Sequence, residues 1–206
     1  MRKALTVKDV LNKRRKVFPF AGRWLSAFGK PERCGVWFIW GKSGNGKTSF
    51  VMQLIAELCK YDRVAFNSLE EGDSLSMRQK LVRHGLLDVG SRLHLLHESM
   101  RELSNRLCQR KSYNIVVDSF QYTQMSYREY IKFKESFPGK LIIFISHASG
   151  SMPRGAAAVS VMYDATLKIW VEGFKAFSKG RFIGDSGELT IWDEGARRYW
   201  GESITN

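Results

Sequence analysis

The sequence predicts an α/β fold, a mostly parallel sheet flanked by helices and extended by antiparallel β-hairpins near its C-terminus. Three observations carry this reading. Short continuous apolar runs at residues 35–40, 114–117 and 141–145 have the composition of strands buried on both faces. They alternate with longer segments of helical periodicity, as parallel strands joined by crossover helices must. From residue 166 onward the pattern changes to short β-like runs separated by Gly or Asp turns.

In chain order, residues 1–33 read as a basic N-terminal arm and 34–206 as one domain with no internal repeat or low-complexity linker. Within the arm, Val7, Val10 and Leu11 followed by Val17 and Phe18 suggest a short amphipathic helix that Pro19 ends. After the strand at 35–40, residues 41–46 are a glycine-punctuated loop. Phe50, Val51, Leu54, Ile55 and Leu58 then mark a helix over 47–61. Strands follow at 63–67 and 92–96, with helices at 73–84 and 98–110. The strand at 114–117 ends in Asp118, a helix over 127–136 stops at Pro138-Gly139, and another buried strand begins at Leu141. The final β-like runs are 166–171, 174–177, 181–183, 188–192 and 197–200.

A chain of 206 residues that is 44% hydrophobic and 26% charged suits a single packed core rather than a disordered segment. The apolar runs at 36–40 and 141–145 have five residues each, far short of the roughly 20 that span a bilayer. No apolar run follows the basic N-terminus, so no secretory signal is expected, and the reading is a soluble cytoplasmic protein without a membrane partner. Cys34, Cys59 and Cys108 are odd in number and widely spaced, which argues against a disulfide framework or a cysteine zinc site. The pair His94-x-x-His97 lies among leucines with no further ligand cluster and is read as a strand edge, not a metal site.

The formal net charge is +13. Residues 1–33 hold ten Lys/Arg against Asp9 and Glu32, so most of the excess sits in the arm. Such a segment captures polyanions, although Lys13–Lys16 alone reads equally well as a solvated surface.

The segment Gly41-Lys42-Ser43-Gly44-Asn45-Gly46-Lys47-Thr48 fits G-x-x-x-x-G-K-[ST] at every defined position. Its glycines let backbone amides turn inward around a β-phosphate, at the positive end of the following helix. Gly41, Ser43, Gly44, Asn45, Gly46, Lys47, Thr48 and Ser49 are the candidate nucleotide-binding residues. Lys47 would reach the β- and γ-phosphates and the Thr48 hydroxyl would ligate Mg²⁺, while Lys42 faces solvent. Asp118, leaving a buried strand at its carboxyl end, is the second candidate metal residue, though a turn or helix cap has the same signature. No second acid follows Asp118, so the base that orients water is sought after the second strand. Glu70 is the candidate there with Glu71 next in line, and an acidic loop preceding a helix is the alternative.

Together these residues resemble the RecA-like P-loop ATPase core, in the branch of RadA/Sms, KaiC and the DnaB replicative helicases. The cradle, Ser68-Leu69-Glu70-Glu71, Val117-Asp118-Ser119-Phe120-Gln121, Ile145-Ser146-His147 and Lys179-Gly180-Arg181-Phe182 occur in the family's order, from about Trp24 to Trp200. The resemblance implies ATP and Mg²⁺ as cofactors, Glu70 as the catalytic glutamate and His147 as a γ-phosphate sensor. It also implies that Lys179 and Arg181 reach in trans into a neighbouring subunit's nucleotide, hence self-association into a hexamer or filament. Residues 149–158 stand where the family has a flexible DNA-contacting loop, with Gly150, Ser151 and Arg154 the candidate nucleic-acid residues. Tyr122 and Tyr127 fall where a first such loop would lie and are candidates for base stacking or for packing.

The 206 residues carry no four-cysteine zinc element, protease-like domain or helicase N-terminal domain, so the expectation is a motor core with a basic arm. The leading function is an Mg²⁺-dependent ATPase acting on single-stranded DNA in recombination, repair or replication, with a replication or recombination protein as a further partner. The alternative is a KaiC-like, nucleotide-gated interaction protein with little turnover and no DNA binding. A small-molecule or nucleotide kinase is the weaker third reading, because the late hairpins resemble assembly elements rather than a substrate lid.

Overall fold

The computed structural model describes residues 4–109 and 114–201. The expected helix end at Arg110 and the charges of Arg2 and Lys3 lie outside them. The strands are β1 (Gly35–Gly41), β2 (Val64–Ser68), β3 (Leu93–Leu96), β4 (Asn114–Asp118), β5 (Leu141–Ser149), β6 (Met152–Pro153), β7 (Leu167–Glu172), β8 (Lys175–Ser178) and β9 (Glu188–Thr190). The helices are α1 (Val7–Asn12), α2 (Gly22–Phe28), α3 (Lys47–Cys59), α4 (Leu75–Arg83), α5 (Met100–Gln109), α6 (Tyr127–Ser136), α7 (Ala156–Asp164) and α8 (Asp193–Trp200). Among the described residues no helix is long and apolar enough to cross a membrane.

The sheet runs β3-β2-β4-β5-β1-β7-β8-β9, parallel through β7 and antiparallel beyond it. Alternation along β1 divides the core between two faces. Trp37 and Ile39 pack with Phe50, Leu54 and Ile55 of α3, whereas Val36, Phe38 and Trp40 pack with Leu103 of α5, Tyr130 of α6 and Val161 of α7. Helix starts follow local chemistry: Ser74 caps α4, and Ser126 with Glu129 forms a capping box on α6.

Several expectations are corrected. The 1–33 segment does not behave as one arm. Helix α1 has the expected amphipathic sequence but buries none of its residues, while Phe18, Phe20, Trp24, Ala27 and Phe28 belong to the main core. Lys16 O accepts from Arg33 N at 2.8 Å and Pro31 O from Phe18 N at 2.9 Å, which fastens the chain to the residues before β1. The flexible loop expected at 149–158 is a tight hairpin, β5 turning into β6 at Gly150-Ser151, followed by α7. Three consecutive alanines there favour helix.

Two of the late β-like runs are not strands. Residues 197–200 lie in α8, where Asp193 and Glu194 in the first turn and Arg197 and Arg198 in the last match the helix dipole. Residues 181–183 cross α2 instead, with Gly184 N donating to Ala27 O at 3.2 Å and a Cβ at Gly184 only 2.2 Å from Leu25 O.

Phe18 is fully buried and Val7 is 76% exposed. Phe18→Ala is therefore expected to lower unfolding free energy by ~3–5 kcal/mol, and Val7→Ser by less than about 0.5. Urea denaturation checks this, and equal small losses would contradict the packing of residues 17–28.

Candidate functional site

The cradle loop joins the end of β1 to the start of α3. Gly44 (φ 79°) and Gly46 (φ 90°) occupy the left-handed region that L-residues avoid. A Cβ at Gly46 would come 2.9 Å from Phe174 Cδ1, and one at Gly41 would come 2.3 Å from Val171 O. Asn45 pins the loop to the β7–β8 turn: its Oδ1 accepts from Gly173 N at 2.8 Å and its carbonyl from Phe174 N at 3.1 Å. Its Nδ2 donates to Ser43 O at 3.2 Å, so the side chain shapes the loop and leaves the main chain to face the ligand. The result is a cleft of ≈ 270 Å³ at the N-terminus of α3, lined by Ser43, Gly44, Gly46, Lys47, Thr48 and Ser49. Gly41 sits beneath this lining, and Lys42 is exposed at its rim.

Lys47, Asp118 and Glu70 converge beside the cleft. Burial pushes the Lys47 ammonium below its ordinary value, opposed by Asp118 and Glu70. Burial pushes the Asp118 carboxyl up to about 6, opposed by Lys47 and reinforced by Glu70. The position of Glu70 follows from the β2–β4 ladder, because Asp118 O accepts from Leu69 N (2.7 Å) and from Glu70 N (3.3 Å). Glu71 is occupied elsewhere, by an ion pair with Lys80 and a 3.0 Å hydrogen bond from Ser76. Of the two acids, Glu70 alone is placed to meet a ligand in the cleft.

His147 comes from β5, which lies between β1 and β4, and pairs in register with Gly41. Its Nε2 is 3.5 Å from Glu70 Oε2. Gln121, to which the sequence attached no role, ties this corner together. Its Oε1 accepts from His147 N at 3.3 Å, and its Nε2 donates to Ser146 Oγ (2.8 Å) and to Arg154 O (2.9 Å). One amide side chain thus joins the His147 strand end to the hairpin carrying Gly150, Ser151 and Arg154. Arg154 is exposed, its N–H donates to His147 O at 2.9 Å, and Trp40 Nε1 fixes the turn by donating to Ser151 O at 2.9 Å.

Lys179 and Arg181 are not brought to this site. Lys179 N donates to Lys168 O at 2.7 Å and Arg181 N to Thr166 O at 3.3 Å, at the amino end of β7. Gly41 is in register with Val171 and Trp37 with Leu167, so the two cations lie roughly 13 Å down the sheet from the cradle. Lys179 Nζ sits 5.9 Å from the Phe177 ring. Tyr122 is exposed, whereas Tyr127 stacks on the buried Tyr130 at 5.8 Å. His97 Nδ1 lies 2.7 Å from Ser68 O and supports the turn after β2.

Sequence reasoning missed Phe174 and Trp192. Phe174, at φ 59°, lines the cleft and meets the half-exposed Trp192 edge-on at 5.1 Å. The signal was the Gly-Phe pair at the first late hairpin turn.

Thr48 and Asp118 supply hard oxygen donors, and Asp118 is a buried carboxylate beside a single ammonium. That donor set fits Mg²⁺.

No protein-family model and no curated protein matches the sequence. Solved structures do match. The ATPase domain of a DnaB-like helicase superposes with a TM-score of 0.54 at 14% identity, covering 77% of this chain and 81% of that one. The KaiC-like protein PH0186 from Pyrococcus horikoshii OT3 superposes with a TM-score of 0.61 at 16% identity, covering 85% of this chain and 98% of that one. These likenesses establish the fold: a RecA-like P-loop ATPase core, as in the DnaB and KaiC branch.

The Asp118 carboxyl is raised above its ordinary 3.8, so its contribution to stability is complete below that value and is lost as pH rises through about 6. Asp118→Asn, neutral at every pH, is expected to be more stable than wild type at pH 7. The gap should close as pH falls toward 4. Chemical denaturation across this range checks it, and a pH-independent difference would contradict the desolvation of Asp118.

Proposed function

We propose that this chain is an Mg²⁺-dependent ATPase that assembles as a ring or filament and acts on single-stranded DNA in recombination, repair or replication. The observation that carries the ATPase part is the convergence of Lys47, Asp118 and Glu70 at the mouth of a glycine-built phosphate cradle.

In this reading the loop amides and the N-terminus of α3 hold the β-phosphate, and Lys47 neutralises the β- and γ-oxygens. Mg²⁺, held through Thr48 and Asp118, would bridge phosphate oxygens and offset the charge that develops on them. Glu70 orients and deprotonates the attacking water, with His147 beside it to read the γ-phosphate. The Phe174–Trp192 pair forms an apolar wall for the rest of the nucleotide. Lys179 and Arg181 are too far down the sheet to serve their own cradle, which supports action on a neighbouring copy's nucleotide. Gln121 gives the exposed Arg154 hairpin a direct mechanical link to His147, a route by which a bound strand would alter water activation.

Steady-state kinetics test the assignment. Lys47→Ala is expected to abolish ATP turnover, and Glu70→Gln to lower kcat by ~10²–10⁴ while nucleotide affinity is retained. Arg181→Ala is expected to lower turnover of the assembled protein by roughly 10³ or more without weakening nucleotide binding to the monomer. Unchanged kcat in Glu70→Gln would remove the base assignment. Nucleotide binding with negligible turnover and no response to single-stranded DNA would favour the KaiC-like, nucleotide-gated alternative.

A further inference from the structure

We infer a second anion site, distinct from the cradle: a cationic shelf formed by Lys13, Arg14, Lys16 and Arg33 that binds the phosphodiester backbone of nucleic acid. The shelf surrounds a cavity of ≈ 250 Å³ between residues 13–16 and 32–34, closed at one end by Gly139. Cys34 and Gly139 immediately precede β1 and the approach to β5, so the cavity opens at the amino end of the parallel strands. Six residues of β1 separate it from the cradle, about 20 Å.

The shelf is held by the fold. Val17 bridges Glu32, Lys16 O accepts from Arg33 N at 2.8 Å, and the adjoining Phe18 is fully buried. Arg33 is anchored by donation to Tyr61 O at 3.0 Å and by stacking over Phe18 at 5.4 Å, and it lies 3.7 Å from Asp62. Glu32 is the single carboxylate in the lining, and Arg15 already pairs with it at 2.8 Å. Among the described residues, Lys13, Arg14 and Lys16 have no carboxylate within ion-pairing distance. Three exposed cations are therefore gathered at one fixed cavity without counter-charges, a costly arrangement in the absence of an anion.

The lining also selects the class of anion. It contains no aromatic or aliphatic anchor of the kind on which protein interfaces depend, which disfavours an acidic peptide. Charge alone suffices for a phosphate backbone, and with no ring available for base stacking the binding is indifferent to sequence. This inference extends the nucleic-acid part of the proposed function and does not depend on ATP hydrolysis.

The test measures fluorescence anisotropy of a labelled single-stranded oligonucleotide across a salt series, with wild type, Arg154→Ala, and the triple variant Lys13→Gln/Arg14→Gln/Lys16→Gln. All three altered residues are exposed, so the triple variant should keep wild-type unfolding and basal ATP turnover. Each lost phosphate contact lowers the slope of log K against log salt by about 0.7, so the triple variant should lose about 2 of the slope, independently of Arg154.

Cys34, in the cavity wall, gives a second readout in a Cys108→Ser background. The oligonucleotide should slow its maleimide labelling, and polyglutamate of equal charge should not. Oligonucleotide binding with an unchanged slope in the triple variant would overturn the shelf while leaving the DNA reading intact. Equal protection of Cys34 by polyglutamate would assign the shelf to an acidic protein surface and overturn the inference. No oligonucleotide binding by wild type at low salt would overturn both.

Discussion

An ammonium and a carboxylate withdrawn from water at one end of a parallel sheet are the constraint on which this molecule's chemistry rests. Lys47 and Asp118 each lose hydration, and each is held charged chiefly by the other and by Glu70. A pair in that setting is weak evidence for stability, because desolvation offsets much of the attraction. It is strong evidence for a site, since a phosphate oxygen answers Lys47 and a divalent cation answers Asp118. The sheet order supplies the separation: β5 lies between the strand that feeds the cradle and the strand that ends in Asp118, so its own end delivers His147 into the gap.

The second requirement is that the cradle hold its shape without ligand, and the late β-elements provide this. Asn45 takes two backbone N–H groups from the β7–β8 turn, and Phe174 fills the space against Gly46 that any other residue's Cβ would need. The hairpins therefore buttress the phosphate loop as well as extend the sheet. Their far end carries Lys179 and Arg181 away from that loop, so one structural unit both shapes a protomer's own site and presents charge at a distance from it.

Much of this was legible in the residues. Strands β1, β4 and β5 are near-continuous apolar runs because helices cover both their faces, and the cradle follows from its spacing alone. The choice of Glu70 over Glu71 needed coordinates, because only the fold shows that Lys80 and Ser76 occupy Glu71. Helix α8 was misread because a four-residue window at 197–200 is too short to reveal a 3.6-residue period. Helix α2 was hidden by the surrounding basic residues, although Trp24, Ala27 and Phe28 already mark an apolar face. Gln121 gave no signal at all: its importance lies in three hydrogen bonds to segments 25 to 33 residues away.

The central claim is that main-chain amides of the loop from Ser43 to Ser49 grip a triphosphate. Its most direct measurement is amide-resolved NMR of ¹⁵N-labelled protein titrated with a non-hydrolysable ATP analogue and Mg²⁺. The account expects the Ser43–Ser49 amides to shift together with saturable dependence, accompanied by the Trp192 indole. Saturable binding whose shifts leave that loop untouched, or no shifts at millimolar analogue, would contradict it.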